Sequence, residues 1–412
     1  MKLATAFLVG ALLLAAPLFA GCFSREKGDD GSPNGPPARR EFDVTVGAMM
    51  VPLYPIGTAP NGTEYHAMAA GIGFTFLEDA KPSVPGPEIR VREGDTVVVN
   101  FVNNDNFGFN HTIHWHGVRV PWEMDGVPYV SQLPVVQGKS YTYEFVAKDP
   151  GTYWYHCHVD ATHHVDLGMY GAFIVEPRDP EDDPPFDREV TLFLDEWDKN
   201  HIHSARADHA LQPEASGDPE KLVQRILTNA RDAPYTTEEG RAATEGRTRT
   251  ERDWWPETHP PYFPDYNTFT VNSRAFPWTD PVMIAEGETL RVRLVNAGGM
   301  AHAFHLHGHV FHVTHKDGHR LPAAYQADTV LIGPGERYDL LLQGDNPGVW
   351  EFHCHMASHT SNDNIWPGGM MTMLVYEGFD PTTGGHVGHG SYGTGPDGEL
   401  VAGDYAWAFR RN

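Results

Sequence analysis

Two stretches of this chain carry the same strand-and-histidine programme, and that duplication restricts the fold more than any other feature. The first runs Thr96-Val97-Val98-Val99-Asn100-Phe101-Val102-Asn103, then His111-Thr112-Ile113-His114-Trp115-His116-Gly117, then Thr152-Tyr153-Trp154-Tyr155 into His156-Cys157-His158. The second runs Thr289-Leu290-Arg291-Val292-Arg293-Leu294-Val295-Asn296, then His302-Ala303-Phe304-His305-Leu306-His307-Gly308, then Val349-Trp350-Glu351-Phe352 into His353-Cys354-His355. Turn signals punctuate both copies, among them Glu93-Gly94-Asp95, Asp149-Pro150-Gly151, Glu286-Gly287-Glu288 and Asn346-Pro347-Gly348. Short strands bounded in this way read as β-sandwiches. A repeat of this length reads as two homologous domains and not as a solenoid. The expected fold class is all-β, two sandwich domains in one chain.

The expected boundaries are a leader over 1–22, a flexible tether over 23–41, domain 1 over 42–178, an interdomain segment over 179–262, domain 2 over 263–378 and a Gly-rich tail over 379–412. Within the interdomain segment, Asp218-Pro219 reads as an N-cap with Pro at the first helical position, and Leu222 and Ile226 share a stripe. In the tail, residues 405–409 read as a docking stretch. The leader has a charged start at Lys2, an apolar run, and Ala20-Gly21-Cys22 at its end. It resembles a bacterial lipoprotein signal that would lipidate Cys22, with plain secretion or an uncleaved anchor as alternatives. The expected location is therefore exported, periplasmic or cell-surface, with a lipid anchor as the membrane attachment. Three cysteines argue against a disulfide framework. A net charge of −25 makes nucleic acid a poor partner.

Side-chain parity says what the histidines can do. Along a strand, i and i+2 share a face. Each His-Cys-His triplet therefore turns two imidazoles one way and one thiol the other. His114 and His116 share a face, as do His305 and His307, while His111 and His302 lie three residues earlier and face the opposite side. In each domain a single His can meet the single Cys at one metal, and the paired imidazoles can meet at another. The mononuclear site needs a second His and an axial group. His164 and Met169, five apart, follow Cys157, and His359 follows Cys354 by five. Two His, a thiolate and a weak Met define a blue-copper site. The eight remaining imidazoles, His114, His116, His156, His158, His305, His307, His353 and His355, are too many for one ion and suit a cluster of three.

These segments resemble the copper-binding segments of the multicopper oxidases: HWHG, HCH, HxxHxH and HCHxxxH. With two sandwiches the chain is similar to the two-domain, laccase-like members, over about residues 42–178 and 263–377. The resemblance implies cupredoxin-like Greek-key domains, a type 1 copper in each, and a trinuclear cluster of type 2 and type 3 copper. It implies a homotrimer with each cluster between domain 1 of one subunit and domain 2 of its neighbour. It places His114 and His305 at the type 2 copper. It places His116, His156, His158, His307, His353 and His355 at the type 3 pair. Asp125, in Met124-Asp125-Gly126-Val127-Pro128, matches the family's acidic residue that assists proton delivery. The activity implied is oxidation of a small reducing substrate one electron at a time, with dioxygen reduced to water.

Two positions depart from the pattern. His163 precedes His164, and the five-residue gap to Met169 favours His164. In domain 2 the residue five after His359 is Asn364; residues 360–368 read as an insertion and Met370 as the axial group, with Met371 or no Met as alternatives. A copper nitrite reductase, also a two-domain trimer, is a competing reading that His158 and Cys354 disfavour. A copper store or electron carrier is another. His201, His203, His209, His259, His309, His312, His315, His319, His386 and His389 read as ordinary surface or core groups, and Met49, Met50 and Met68 as packing.

Overall fold

The computed structural model describes residues 35–58, 64–79, 81–105, 109–198, 266–363 and 366–379. The leader with Cys22, the helix reading at 218–226 and the docking stretch at 405–409 lie outside the described residues. Among the described residues no helix is long and apolar enough to cross a membrane.

The first sandwich is built from β1 (Arg39–Thr58), β2 (Glu64–Phe76), β3 (Gly86–Arg92), β4 (Thr96–Val102), β5 (His114–His116), β6 (Ser140–Val146), β7 (Gly151–His156) and β8 (Tyr170–Glu176). Its sheets run β2-β1-β4-β6 and β3-β8-β7-β5. The second is built from β9 (Arg188–Trp197), β10 (Thr268–Val271), β11 (Val282–Ile284), β12 (Thr289–Asn296), β13 (His302–Leu306), β14 (Phe311–Lys316), β15 (His319–Ala327), β16 (Thr329–Ile332), β17 (Arg337–Gln343), β18 (Val349–Cys354) and β19 (Met371–Tyr376). Its sheets run β10-β9-β12-β17-β14-β15 and β11-β19-β18-β13-β16. The repeat extends to topology: β1 lies parallel to β4 as β9 does to β12, and β3 lies parallel to β8 as β11 does to β19.

Two elements differ from the sequence reading. Residues 39–41, read as tether, already pair with β4, and β1 then runs on into a long hairpin with β2. Pro52 and Pro55 obscure that strand in the sequence. The structure accommodates them at register shifts, where a missing N–H breaks no ladder bond. Residues 188–197, read as part of the interdomain segment, form β9 in the second sandwich. Its stretch from Asp195 is acidic, so it looks unlike a core strand, yet Asp195 and Glu196 are both buried.

Strand alternation sorts β12. Leu290, Val292 and Leu294 enter the second core, while Arg291, Arg293 and Val295 turn to the other face. That face meets the first sandwich, where Val295, Phe193 and Ala297 pack with Trp154, Tyr170, Ala172 and Ile174. Arg293 crosses the boundary: it donates to Thr152 Oγ1 at 2.7 Å and to Glu189 Oε2 at 2.9 Å, and Thr152 Oγ1 donates to Asp339 Oδ1 at 2.6 Å. Removing one member of such a buried set leaves uncompensated charge. Arg293→Ala is expected to lower unfolding free energy by about 3–5 kcal/mol; equilibrium denaturation of the variant, with an unchanged midpoint as the contrary outcome, checks it.

Candidate metal centres

In each sandwich the thiol sits in the core with two imidazoles around it. Cys157 and Cys354 are fully buried. Cys157 Sγ lies 3.7 Å from His111 Nδ1 and 3.3 Å from His164 Nδ1. Cys354 Sγ lies 3.8 Å from His302 Nδ1 and 3.6 Å from His359 Nδ1, and those two nitrogens are 3.2 Å apart. His164 comes from the short helix α1 (Ala161–Asp166), whereas its neighbour His163 turns toward Asp160, 3.7 Å away. Phe109 meets His164 edge-on at 5.4 Å, and Phe269 stacks on His359 at 4.0 Å, so aromatic rings cover both imidazoles.

The methionines arrive by the same backbone ties in both domains. Cys157 N–H donates to Met169 O and Met169 N–H to His164 O; Cys354 N–H donates to Met370 O and Met370 N–H to His359 O. The insertion before Met370 leaves these ties intact because it is stitched across its base: Gly368 N–H donates to Thr360 O, and Gly369 N–H to Asn362 Oδ1. Met169 and Met370 are both fully buried.

The remaining imidazoles form two quartets. His114 pairs with His156 across β5–β7, and His305 with His353 across β13–β18, so the two domains use one register. Ring centroids of His114 lie 5.8, 5.1 and 5.3 Å from those of His116, His156 and His158. His305 lies 5.0, 5.8 and 5.6 Å from His307, His353 and His355. Backbone carbonyls set the tautomers. His156 Nδ1 donates to Cys157 O at 2.8 Å and His353 Nδ1 to Cys354 O at 2.9 Å. His114 Nδ1 donates to Asp125 O at 2.7 Å, and His305 Nδ1 to Asp328 O at 2.9 Å. Each leaves Nε2 unprotonated, the state a metal requires, although His116 Nδ1 lies 3.3 Å from His156 Nε2 and His307 Nε2 lies 3.0 Å from His353 Nε2. Among the described residues no hydrogen bond or ring contact joins one quartet to the other.

Several residues around these groups escaped the sequence reading. Glu196 Oε2 lies 3.2 Å from His302 Nε2, and Asp105 Oδ2 lies 3.7 Å from His111 Nε2. Burial pushes the Glu196 carboxyl up to about 8. Trp154 stacks on His116 at 4.8 Å, while the matching place in the second domain holds Glu351, 3.7 Å from His307. A His-Cys-His motif does not announce such partners, which come from a loop, from β9 and from the strand leading into each triplet.

The donor set fits copper: a soft thiol and two imidazoles in each buried site, with a methionine tied by backbone hydrogen bonds to the cysteine and one of the histidines, and clustered imidazoles in the quartets. Burial also favours the neutral form of His116, His156, His158, His302, His353 and His359. It pulls His302 and His359 down to about 4, and pulls His116 to about 3 with help from the Arg337 guanidinium. It raises the Cys354 thiol, so metal uptake there must release a proton. For an imidazole whose folded pKa lies below its ordinary 6.5, stability is present above that value and lost as pH falls through the folded one. His116 therefore contributes a loss of stability to the metal-free chain as pH falls from 6.5 to about 3, and His116→Asn should flatten the pH slope over that range. Urea midpoints measured across this range would contradict this if wild type and variant ran parallel.

Family comparisons converge with this geometry. Models of the multicopper oxidase family match residues 80–180 and 251–377. The solved multicopper oxidase mgLAC is 34% identical with a TM-score of 0.59, over 83% of this chain and 87% of its own. The blue copper oxidase from Nitrosomonas europaea is 33% identical with a TM-score of 0.56, over 82% of this chain and 86% of its own. Laccase-6 of Oryza sativa subsp. japonica is 30% identical over 298 residues, 70% of this chain and 43% of the rice protein. The chain spans less than half the length of the curated relatives it matches. Two cupredoxin-like sandwiches, two buried thiol sites and two imidazole quartets thus accompany matches over both halves, and the chain belongs to the multicopper oxidase family, whose metal is copper.

Proposed function

We propose that this chain is a laccase-like oxidase that takes electrons singly from a small reducing substrate and passes them to dioxygen. The observation that carries this reading is the back-to-back arrangement. Cys157 faces His111 and His164 in the core, while its chain neighbours His156 and His158 stand in the quartet on the other face. Cys354, with His302 and His359 on one side and His353 and His355 on the other, repeats it. Copper held at these positions supplies one-electron acceptance from the donor and four-electron reduction of dioxygen to water.

In this reading His111, Cys157, His164 and Met169 hold a type 1 ion, and His302, Cys354, His359 and Met370 hold another. His114 and His305 hold the type 2 ion, and His116, His156, His158, His307, His353 and His355 the type 3 pair. The covalent path from each Sγ to its flanking imidazoles is the shortest connection between the two kinds of site. Each quartet supplies half of the cluster. The separation of the quartets within one chain supports a homotrimer in which domain 1 of one subunit meets domain 2 of the next. The Asp125 carbonyl orients His114, and its carboxylate, with Oδ1 3.4 Å from the same Nδ1, is placed to hold a proton at the cluster's edge. Export with a lipid anchor at Cys22 completes the proposal.

A nitrite reductase needs one thiol site and a mononuclear catalytic ion. A second thiol site at Cys354 and the imidazole at His158 favour the oxidase over it. Copper per subunit separates the two: about five ions for two type 1 sites plus a cluster, against about two. Cys157→Ser and Cys354→Ser should each remove the blue absorption of one site and cut oxygen uptake with a phenolic donor. No uptake by the copper-loaded wild type, or peroxide as its product, would sink the proposal. Asp125→Asn keeps the carbonyl that holds His114, so copper content and colour should persist while turnover falls by about 10²-fold. Turnover equal to wild type would remove Asp125 from the proton path.

A further inference from the structure

The two thiol sites carry a carboxylate behind the same imidazole, delivered by different parts of the chain. The loops before His111 and His302 are built alike. Asn103 Oδ1 accepts from Asp105 N–H at 2.9 Å, and Asn296 Oδ1 accepts from Gly298 N–H at 3.0 Å. Asn103 Nδ2 donates to Phe109 O and Asn296 Nδ2 to Met300 O, at 2.9 and 2.7 Å. Asp105 and Gly298 therefore occupy equivalent positions. On the parallel neighbour strands, Thr45 pairs with Val102 and Phe193 with Val295, so three residues further on Ala48 answers Glu196. The first domain combines Ala48 with Asp105, and the second combines Glu196 with Gly298. The carboxylate and the small residue have changed places.

The exchange is sterically necessary. A Cβ on Gly298 would lie 1.9 Å from Glu196 Oε2, so any side chain there would evict the carboxylate. It also changes the reach. Glu196 is fully buried, takes the Met300 N–H on one oxygen and sits 3.2 Å from His302 Nε2 with the other. Asp105 Oδ2 accepts the Phe109 N–H at 2.7 Å and stops 3.7 Å from His111 Nε2, beyond hydrogen-bond reach.

We propose that Glu196 is a positioning residue that holds His302 with its proton on Nε2 and its Nδ1 lone pair toward Cys354 Sγ, and that it makes the second-domain site the lower-potential of the two. The positive charge of a bound metal favours the ionised form of Glu196, and a carboxylate accepting from the far nitrogen of a ligand imidazole raises that ligand's basicity and favours the more highly charged metal ion. This rests on the copper reading above.

The test uses the full-length copper-loaded protein. Cys157→Ser leaves the second-domain site as the blue chromophore, and Cys354→Ser leaves the first. Spectroelectrochemical titration of these parents should give a lower midpoint for the Cys157→Ser parent. Adding Glu196→Gln to it should raise the reduced-to-oxidised ratio at a fixed potential by about tenfold or more. Asp105→Asn in the Cys354→Ser parent should have a smaller effect. Gly298→Ala, which displaces the carboxylate without removing it, should shift the ratio in the same direction and serves if Glu196→Gln does not fold. Nitrogen chemical shifts of His302 in the metal-free protein at pH above about 8, where Glu196 is ionised, should report the Nε2–H tautomer in wild type and its loss in the variant. A blue parent whose midpoint is indifferent to Glu196→Gln and Gly298→Ala overturns this inference alone. A Cys157→Ser parent that binds no blue copper overturns the copper reading and this inference with it.

Discussion

A β-strand turns neighbouring side chains to opposite faces, and at Cys157 and Cys354 this alternation separates an apolar core from a polar boundary. The thiol goes inward among Ile113, Met169 and Phe173 in one domain, and among Phe304, Met370 and Leu374 in the other. The two flanking imidazoles go outward to a quartet. Register supplies the rest: His114 opposite His156 and His305 opposite His353 bring the partner histidines alongside. A slip of one residue in either pairing would turn a thiol outward and bury an imidazole without its carbonyl acceptor. Both kinds of site therefore stand or fall with the same few ladder bonds.

The boundary between the sandwiches contributes to that precision. Arg293 and Arg291 lie on the face of β12 that points away from its own core, yet both are buried, Arg293 against Thr152 of the first sandwich and Arg291 beneath Asp183, Pro184 and Phe186 of the connecting segment. Charged groups so enclosed persist only when their hydrogen bonds are complete, and Glu189, Thr152 and Asp339 provide them for Arg293. Strand β9 belongs to both regions. Its Glu189 closes the ion network at one end, and its Glu196 stands behind His302 at the other. The placement of one thiol site is thus tied to how the two sandwiches meet.

Much of the candidate site could be read directly because its spacing is local. His302-x-x-His305-x-His307 and the triplets need only strand parity. The gap from His164 to Met169 needs only a short helix and the following turn. Met370 emerged from the strand pattern that resumes after the insertion, and the backbone ties to Cys354 and His359 account for why it does. The long β1–β2 hairpin was harder to see. Its prolines break the alternation that marks a strand, and only bulges in the paired register absorb them. Glu196 was harder still. It precedes His302 by more than a hundred residues, lies within a short acidic stretch and carries no motif.

The sequence alone determined which atoms can bind metal and to which face of a strand each points, because chemistry and parity are properties of adjacent residues. Tertiary structure decided which carboxylate reaches which imidazole. It also decided which of two adjacent histidines meets the thiol, and whether Asp105 from a loop or Glu196 from β9 stands behind the ring. Those choices depend on the register of strands far apart in the chain and on whether a Cβ fits between them, and no local pattern encodes either.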